Sequence, residues 1–135
     1  MKDNVFLDTN ILVYLYSKTE ITKRDVCLSL FNKYICITST QALNEFCNVC
    51  IKKYKIGSET VHSFINTIAS VCNIKTITTK IIYDALQLNK EFGYSYYDSL
   101  MLASALDSQS KILFSEDMQN GQMINGRFVI RNPFK

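Results

Sequence analysis

The stretch Val5-Phe6-Leu7-Asp8-Thr9-Asn10-Ile11-Leu12-Val13-Tyr14-Leu15-Tyr16-Ser17 decides how this chain is read. One carboxylate, Asp8, interrupts an apolar run and is followed at once by two small polar residues. A buried, unpaired carboxylate costs several kcal/mol or more. Asp8 is therefore either paired or set where a strand ends, facing something else. Residues 5–7 read as a short buried strand and residues 10–16 as a helical segment.

Outward from this stretch, strand and helix signals alternate. Residues 22–32 have helical spacing, with Val26, Leu28, Leu30 and Phe31 apolar. Residues 34–38 (YICIT) are β-branched and aromatic, hence a second strand. Ser39 and Thr40 suit the cap of a helix over 41–54, which Gly57 stops. Ser58 is expected to cap the next helix, with Val61, Phe64, Ile65, Ile68 and Val71 on one stripe. A third strand is expected over 74–78 (IKTIT), then a helix over 79–92 ended by Gly93. Ser95 caps another helix, with Leu100, Ala103 and Leu106 inside. Residues 111–114 (KILF) form a fourth strand, and 128–130 a fifth, expected at an edge before Pro133. The alternation implies an α/β fold with a largely parallel central sheet of four to five strands flanked by helices on both faces. In such sheets ligands bind outside the carboxyl ends of the strands. Asp8 follows the first strand directly, at that edge, so on this reading it need not be buried.

Composition sets the bounds. The 135 residues suit one domain over 1–135, and 47% apolar with 20% charged residues is ordinary for a globular chain. One Pro and four Gly argue for regular elements and short turns. The apolar run 11–16 is too short for a signal peptide, and no run approaches the ~20 residues of a membrane span, so a cytoplasmic location is expected. Cys27, Cys36, Cys47, Cys50 and Cys72 are odd in number and irregularly spaced, which argues against a disulfide framework. Cys47 and Cys50 form a C-x-x-C, but there is no second pair and the only histidine is His62, so core packing is the favoured reading.

Four further acids matter by position. Asp117 lies just past the KILF strand, in Ser115-Glu116-Asp117. Glu45 stands about a turn and a half into the helix after YICIT, and Asp98 in the first turn of the helix opened by Ser95. With Asp8, the candidate site residues are Glu45, Asp98 and Asp117; Glu116 has no assigned role. Singly, each has an ordinary explanation as a helix-start, turn or solvated residue. Together, four acids map to one sheet edge with no Lys or Arg in the nearest positions. Two carboxylates at ~5 Å repel by about 3 kcal/mol at an effective dielectric near 20. Six such pairs total on the order of 10 kcal/mol, which a proton or a divalent cation relieves. An all-oxygen site suits Mg²⁺ or Mn²⁺ and points to phosphoryl chemistry.

Charge elsewhere agrees. The chain carries 15 basic and 12 acidic residues; setting aside the four acids leaves 15 against 8, or +7. Lys52, Lys53 and Lys55 cluster beyond Glu45, and Arg127, Arg131 and Lys135 near the end of the chain. An acidic centre in a basic surround fits a polyanion held over a metal; a solvated helix end explains the lysines equally well.

At these residues the sequence resembles the PIN-domain ribonucleases, and among them the VapC-type toxins of bacterial toxin–antitoxin pairs. The family opens on a strand followed by D-T-N, here Asp8-Thr9-Asn10; its second acid lies in a helix after strand two, here Glu45. The third begins a helix as Y-x-D-A/S-L, here Tyr96-Tyr97-Asp98-Ser99-Leu100, and the fourth follows the last core strand as T/S-x-D, here Ser115-Glu116-Asp117. The chain's ending, with an edge strand and Asn132-Pro133-Phe134, also looks like the family's. The resemblance covers nearly the whole chain in order.

It implies a single PIN-like domain acting as an Mg²⁺- or Mn²⁺-dependent endoribonuclease. Metal-activated water would attack an RNA phosphodiester. By the resemblance, Asp8 and Asp98 are direct ligands, Asp117 and Glu45 ligate directly or through water, and Asn10 and Ser115 orient carboxylates. The resemblance further implies a small antitoxin partner and a homodimer. Tyr94, Tyr96 and Tyr97 are candidates for an interaction surface or for stacking on bases, with core or capping the favoured reading of Tyr97.

Other classes fit less well. A haloacid-dehalogenase-type phosphatase needs a second Asp where Asn10 stands, a receiver domain needs an early acidic pair that Asp3 does not supply, and there is no P-loop. The serious rival is a non-catalytic PIN-like RNA-binding or assembly module. Such modules usually lose acids, whereas this chain keeps all four.

Overall fold

The computed structural model describes residues 1–135, in which pairs of helices separate the first four of six strands and the last three strands follow one another. The elements are β1 (Asn4–Leu7), α1 (Thr9–Tyr14), α2 (Ile21–Lys33), β2 (Ile35–Ser39), α3 (Thr40–Lys52) and α4 (Ser58–Val71). They continue as β3 (Asn73–Lys75), α5 (Thr79–Phe92), α6 (Tyr96–Asp107), β4 (Ile112–Phe114), β5 (Met123–Ile124) and β6 (Phe128–Arg131). The sheet order is β3-β2-β1-β4-β6-β5; every pairing is parallel except β5 with β6.

The chain walks outward from β1 to β2 to β3, then crosses back to β4 on the other side of β1. Right-handed crossovers put helices of opposite travel on opposite faces. Accordingly α1 packs on α2 and α3, and α3 on α4, while α5 packs on α6. The switch in direction falls between β1 and β4, where such folds hold their ligands.

β1 is the keystone. Val5, Phe6 and Leu7 are all fully buried, because the strand has a neighbour on either side and helices on both faces. Burying three such side chains contributes on the order of 5–9 kcal/mol. That margin holds in place the residue that follows. Asp8 is only 6% exposed, contrary to the expectation that its place at the sheet edge spares it burial. It ends β1 and caps α1, its Oδ1 accepting from the Thr9 N–H at 2.7 Å.

Local signals explain most boundaries. Ser39, Thr78 and Ser95 cap α3, α5 and α6 by accepting from the backbone N–H three residues on. Gly93 ends α5 in the left-handed region at φ +77°. Ser58 does not cap α4: Gly57 holds that position without a side-chain bond, and Ser58 is the first helical residue. Nor does Gly57 stop α3, which ends at Lys52, with Lys55 turning left-handed at φ +57°. On α4, Val71 lies off the buried stripe, 52% exposed.

Three differences concern the sheet. It has six strands rather than four or five, because the two-residue β5 adds an edge. Consequently β6 is not an edge strand but lies between β4 and β5. Strand β3 stops at Lys75, since Ile77 donates its N–H to Thr40 Oγ1 and Thr78 is committed to capping α5. The cysteines are all free thiols, with only Cys47 short of full burial. No helix is long and apolar enough to cross a membrane.

Candidate active site

Asp8, Glu45, Asp98 and Asp117 all line one cleft of ≈ 450 Å³. Four elements deliver them: the end of β1, the second turn of α3, the first turn of α6 and the loop after β4. None of the four forms an ion pair.

Hydrogen bonds knit the β1 and β4 ends together. Ser115, fully buried, donates its hydroxyl to Asp8 Oδ2 at 2.7 Å and accepts the Asp117 N–H at 3.2 Å. Asn10 Nδ2 lies 3.0 Å from Asp117 Oδ2 and 3.4 Å from Asp8 Oδ2, while its Oδ1 accepts the Glu116 N–H. Glu45 is held from both sides: Thr9 Oγ1 donates to Oε1 and Gln41 Nε2 to Oε2, each at 2.9 Å. Asp98 has its backbone N–H tied to Ser95 Oγ.

Electrostatics follow from this packing. Burial pushes the Asp8 carboxyl up to about 6; the Ser115 hydroxyl and Thr9 N–H oppose that rise, while the charges of Asp98 and Asp117 reinforce it. Asp98 is raised as well: burial drives the rise, Ser95 opposes it, and the charges of Asp117 and Glu45 add to it. The acids therefore feel one another.

Glu116, which the sequence left without a role, points away from the cleft. Its carboxylate pairs with Lys23 and accepts from the Tyr14 hydroxyl at 2.6 Å, and Lys23 also lies over the rings of Tyr14 and Phe134. Burial works against its ionisation, but the bonds from Lys23 and Tyr14 prevail and hold its carboxyl below the usual range. This clamp pins the loop that carries Asp117 onto α1 and α2. Spacing alone offered no signal for it, since Lys23 and Glu116 stand 93 positions apart.

The basic and aromatic candidates separate. Lys52, Lys53 and Lys55 are exposed, but only Lys53 lines the acidic cleft, beside Tyr54. Tyr94 is structural, donating to Gln122 Oε1 and accepting the Gln119 N–H. Tyr97, for which core or capping was expected, is instead 65% exposed. Three side chains had no role assigned from the sequence: Thr9, quoted only as the middle of D-T-N, and Gln41, which together hold Glu45, and Asn48 on the cleft wall.

The donor set suits a hard divalent cation: oxygens only, net negative, and without a competing cationic pair. As placed, no three acidic side chains converge on one point. Mg²⁺ does not demand that, since it keeps several waters and takes one or two carboxylates.

A parallel α/β sheet with an acid-lined cleft at its switch point defines a class of domain that gathers carboxylates at strand ends. Within that class the chain belongs to the PIN-domain family, whose sequence description matches residues 5–119. No curated protein matches the chain in sequence. Its fold is shared with a chain of VapBC2 from Rickettsia felis, solved bound to a DNA fragment from its promoter (TM-score 0.70, 19% identity, 96% of this chain and 98% of that one). A toxin–antitoxin complex from Klebsiella pneumoniae is similar (TM-score 0.70, 21% identity, 96% and 97%). So is VapC20 of Mycobacterium tuberculosis, described as a sarcin–ricin-loop-cleaving toxin (TM-score 0.68, 16% identity, 84% and 91%).

Proposed function

We propose that this protein is a divalent-metal-dependent endoribonuclease and the toxin of a toxin–antitoxin pair. The observation that carries this reading is the meeting of four unpaired acids from four elements in one cleft at the β1/β4 switch point. Membership of the PIN-domain family and the fold shared with VapC and VapBC proteins support it.

On this reading Asp8 and Asp98 hold Mg²⁺ or Mn²⁺ directly, and Asp117 and Glu45 do so directly or through water. The bound cation supplies Lewis acidity toward a phosphate and lowers the pKa of water. Ser115 and Asn10 fix Asp8 and Asp117, while Thr9 and Gln41 fix Glu45, so the carboxylates are oriented before RNA arrives. Lys53 stands at the rim, with Lys52 and Lys55 beyond it, where a phosphodiester backbone would lie. An antitoxin, a second copy of the chain and a cytoplasmic site of action belong to the same proposal.

Purified protein incubated with total RNA tests it. Cleavage with Mg²⁺ or Mn²⁺ that EDTA abolishes is the expected result. Absence of metal-dependent cleavage of any RNA at high protein concentration favours the rival, a non-catalytic RNA-binding or assembly module.

A further inference from the structure

Next to the acidic cleft lies a second, larger one of ≈ 720 Å³, and the two share Glu45 and Asn48 as a common wall. That volume lies within the roughly 300–1,000 Å³ of pockets that take organic ligands. Its lining differs in kind from its neighbour's. Ile77 and Leu100 give apolar surface, Tyr97 an aromatic ring, and Asn44 and Asn48 two exposed amides one helical turn apart on α3. Apart from Glu45, shared with the acidic cleft, no charged side chain lines it.

Tyr97 presents a large aromatic ring at this cleft. It is 65% exposed, yet the ring of Tyr96 stands edge-on to it at 5.5 Å, which limits its freedom. Gln41, 7% exposed, links this side to the acids: its Nε2 donates both to Glu45 Oε2 and to the Tyr97 carbonyl at 3.0 Å. Its Oε1 is buried with no hydrogen-bond partner. The amide is therefore committed to joining α3 to the turn of α6 that bears Tyr97 and Asp98.

We infer that this second cleft is a nucleobase subsite, in which an unpaired RNA base beside the scissile phosphate stacks on Tyr97 and is read by Asn44 and Asn48. The inference rests on the nuclease reading and adds to it the cleft and the side chains that hold the base beside the cut. The chemistry selects a base over other ligands. A neutral, planar, hydrogen-bonding ring matches an uncharged cleft with an aromatic wall and carboxamides, which pair with base edges. A phosphate finds no cation there. Unstacked bases bound on aromatic side chains are the usual means by which proteins read RNA sequence, and the shared wall sets the base one step from the acids.

The test uses the full chain and its Tyr97→Ala, Tyr97→Phe and Asn48→Ala variants on a randomised single-stranded RNA with Mn²⁺, sequencing the cut ends. Tyr97→Ala is expected to raise KM by roughly tenfold, change kcat less than twofold and flatten the base preference next to the cut. Tyr97→Phe restores both, and Asn48→Ala changes which base is preferred. In a parallel arm with EDTA, Tyr97→Ala weakens binding of a short fluorescent single-stranded RNA but not of a duplex. An active Tyr97→Ala protein with unaltered KM and base preference overturns the subsite and leaves the nuclease reading intact. A parent that cuts nothing, while Tyr97→Ala still weakens single-strand binding, removes the nuclease reading and keeps the subsite. If instead Tyr97→Ala changes only the sedimentation of the protein from dimer to monomer, the face belongs to a second copy and the inference fails.

Discussion

Ser115 donates its hydroxyl to Asp8 across 107 positions of sequence, joining the carboxyl end of β4 to that of β1. Both residues are buried, and the bond between them opposes the upward push that burial exerts on the Asp8 carboxyl. A hydrogen bond to a charged group is worth about 1.5–3 kcal/mol. Ser115→Ala is expected to destabilise the protein by about that amount in urea at pH 7.5 and to raise the Asp8 carboxyl further. It also takes away the acceptor of the Asp117 N–H, so cleavage should fall with it. A fully stable, fully active Ser115→Ala protein contradicts this role.

The raised Asp8 carboxyl gives metal-free stability a definite slope. In the unfolded chain Asp titrates near pH 3.9, but in the fold this one is pushed up to about 6. Between roughly pH 4 and 6 the native state holds a proton that the unfolded chain has released, so stability falls as pH rises through that window. The full effect is roughly 3 kcal/mol. Asp98, also raised, acts in the same direction. Urea denaturation in EDTA at pH 4 and 7.5 should show Asp8→Asn gaining on the parent at the higher pH. Comparison with this variant cancels the opposite contribution of Glu116. A gap between parent and variant that does not change with pH contradicts the assignment.

On the proposed function, divalent metal is expected to reverse that penalty by binding only the folded chain. At 100 times its dissociation constant a cation adds about 2.7 kcal/mol, and Ca²⁺ is expected to stabilise without supporting cleavage. Thermal melts across a Mg²⁺ and Mn²⁺ titration read this directly. A melting temperature that stays flat counts against an acidic metal site.

What the sequence disclosed divides by range. Features written in a few consecutive residues were legible: the apolar triplet of β1, the Ser39, Thr78–Thr79 and Ser95 helix starts, and the left-handed stop at Gly93. The four acids could be assigned to one edge because parallel topology fixes where strands end. The β5–β6 hairpin had a local signal that went unused, Asn125-Gly126, whose positive φ values of +52° and +64° suit a tight hairpin turn. Other features depend on packing that spacing does not encode. The burial of Asp8, the Lys23–Glu116 pair and the exposure of Tyr97 each arise from neighbours distant in sequence.

The clamp on the loop after β4 makes its own prediction. Lys23→Met leaves Glu116 without its cation and the Tyr14 hydroxyl without its second contact. Backbone amides over 115–118 should exchange faster in hydrogen–deuterium exchange, with the far side of the sheet unchanged, and cleavage should decline because Asp117 rides on that loop. Unaltered exchange over 115–118 shows that the clamp does not hold the loop.

The central claim is that the acids form a site rather than a set of structural caps, and Asp98 tests it most directly. The Ser95 hydroxyl oxygen accepts the Asp98 backbone N–H, a bond that survives any change of the side chain, and although Ser95 also favours the ionised carboxyl, burial and the charges of Asp117 and Glu45 outweigh it. Asp98→Asn keeps the shape and removes one charge. Asp107→Asn serves as the control: Asp107 ends the same helix but pairs with Lys75 at 2.6 Å, so its loss touches stability and leaves cleavage intact. The deciding measurement is urea denaturation of metal-free Asp98→Asn paired with its RNA-cleavage assay in Mn²⁺. A protein at least as stable as the parent and devoid of cleavage is the predicted result; a clearly destabilised protein that still cleaves RNA would contradict the account.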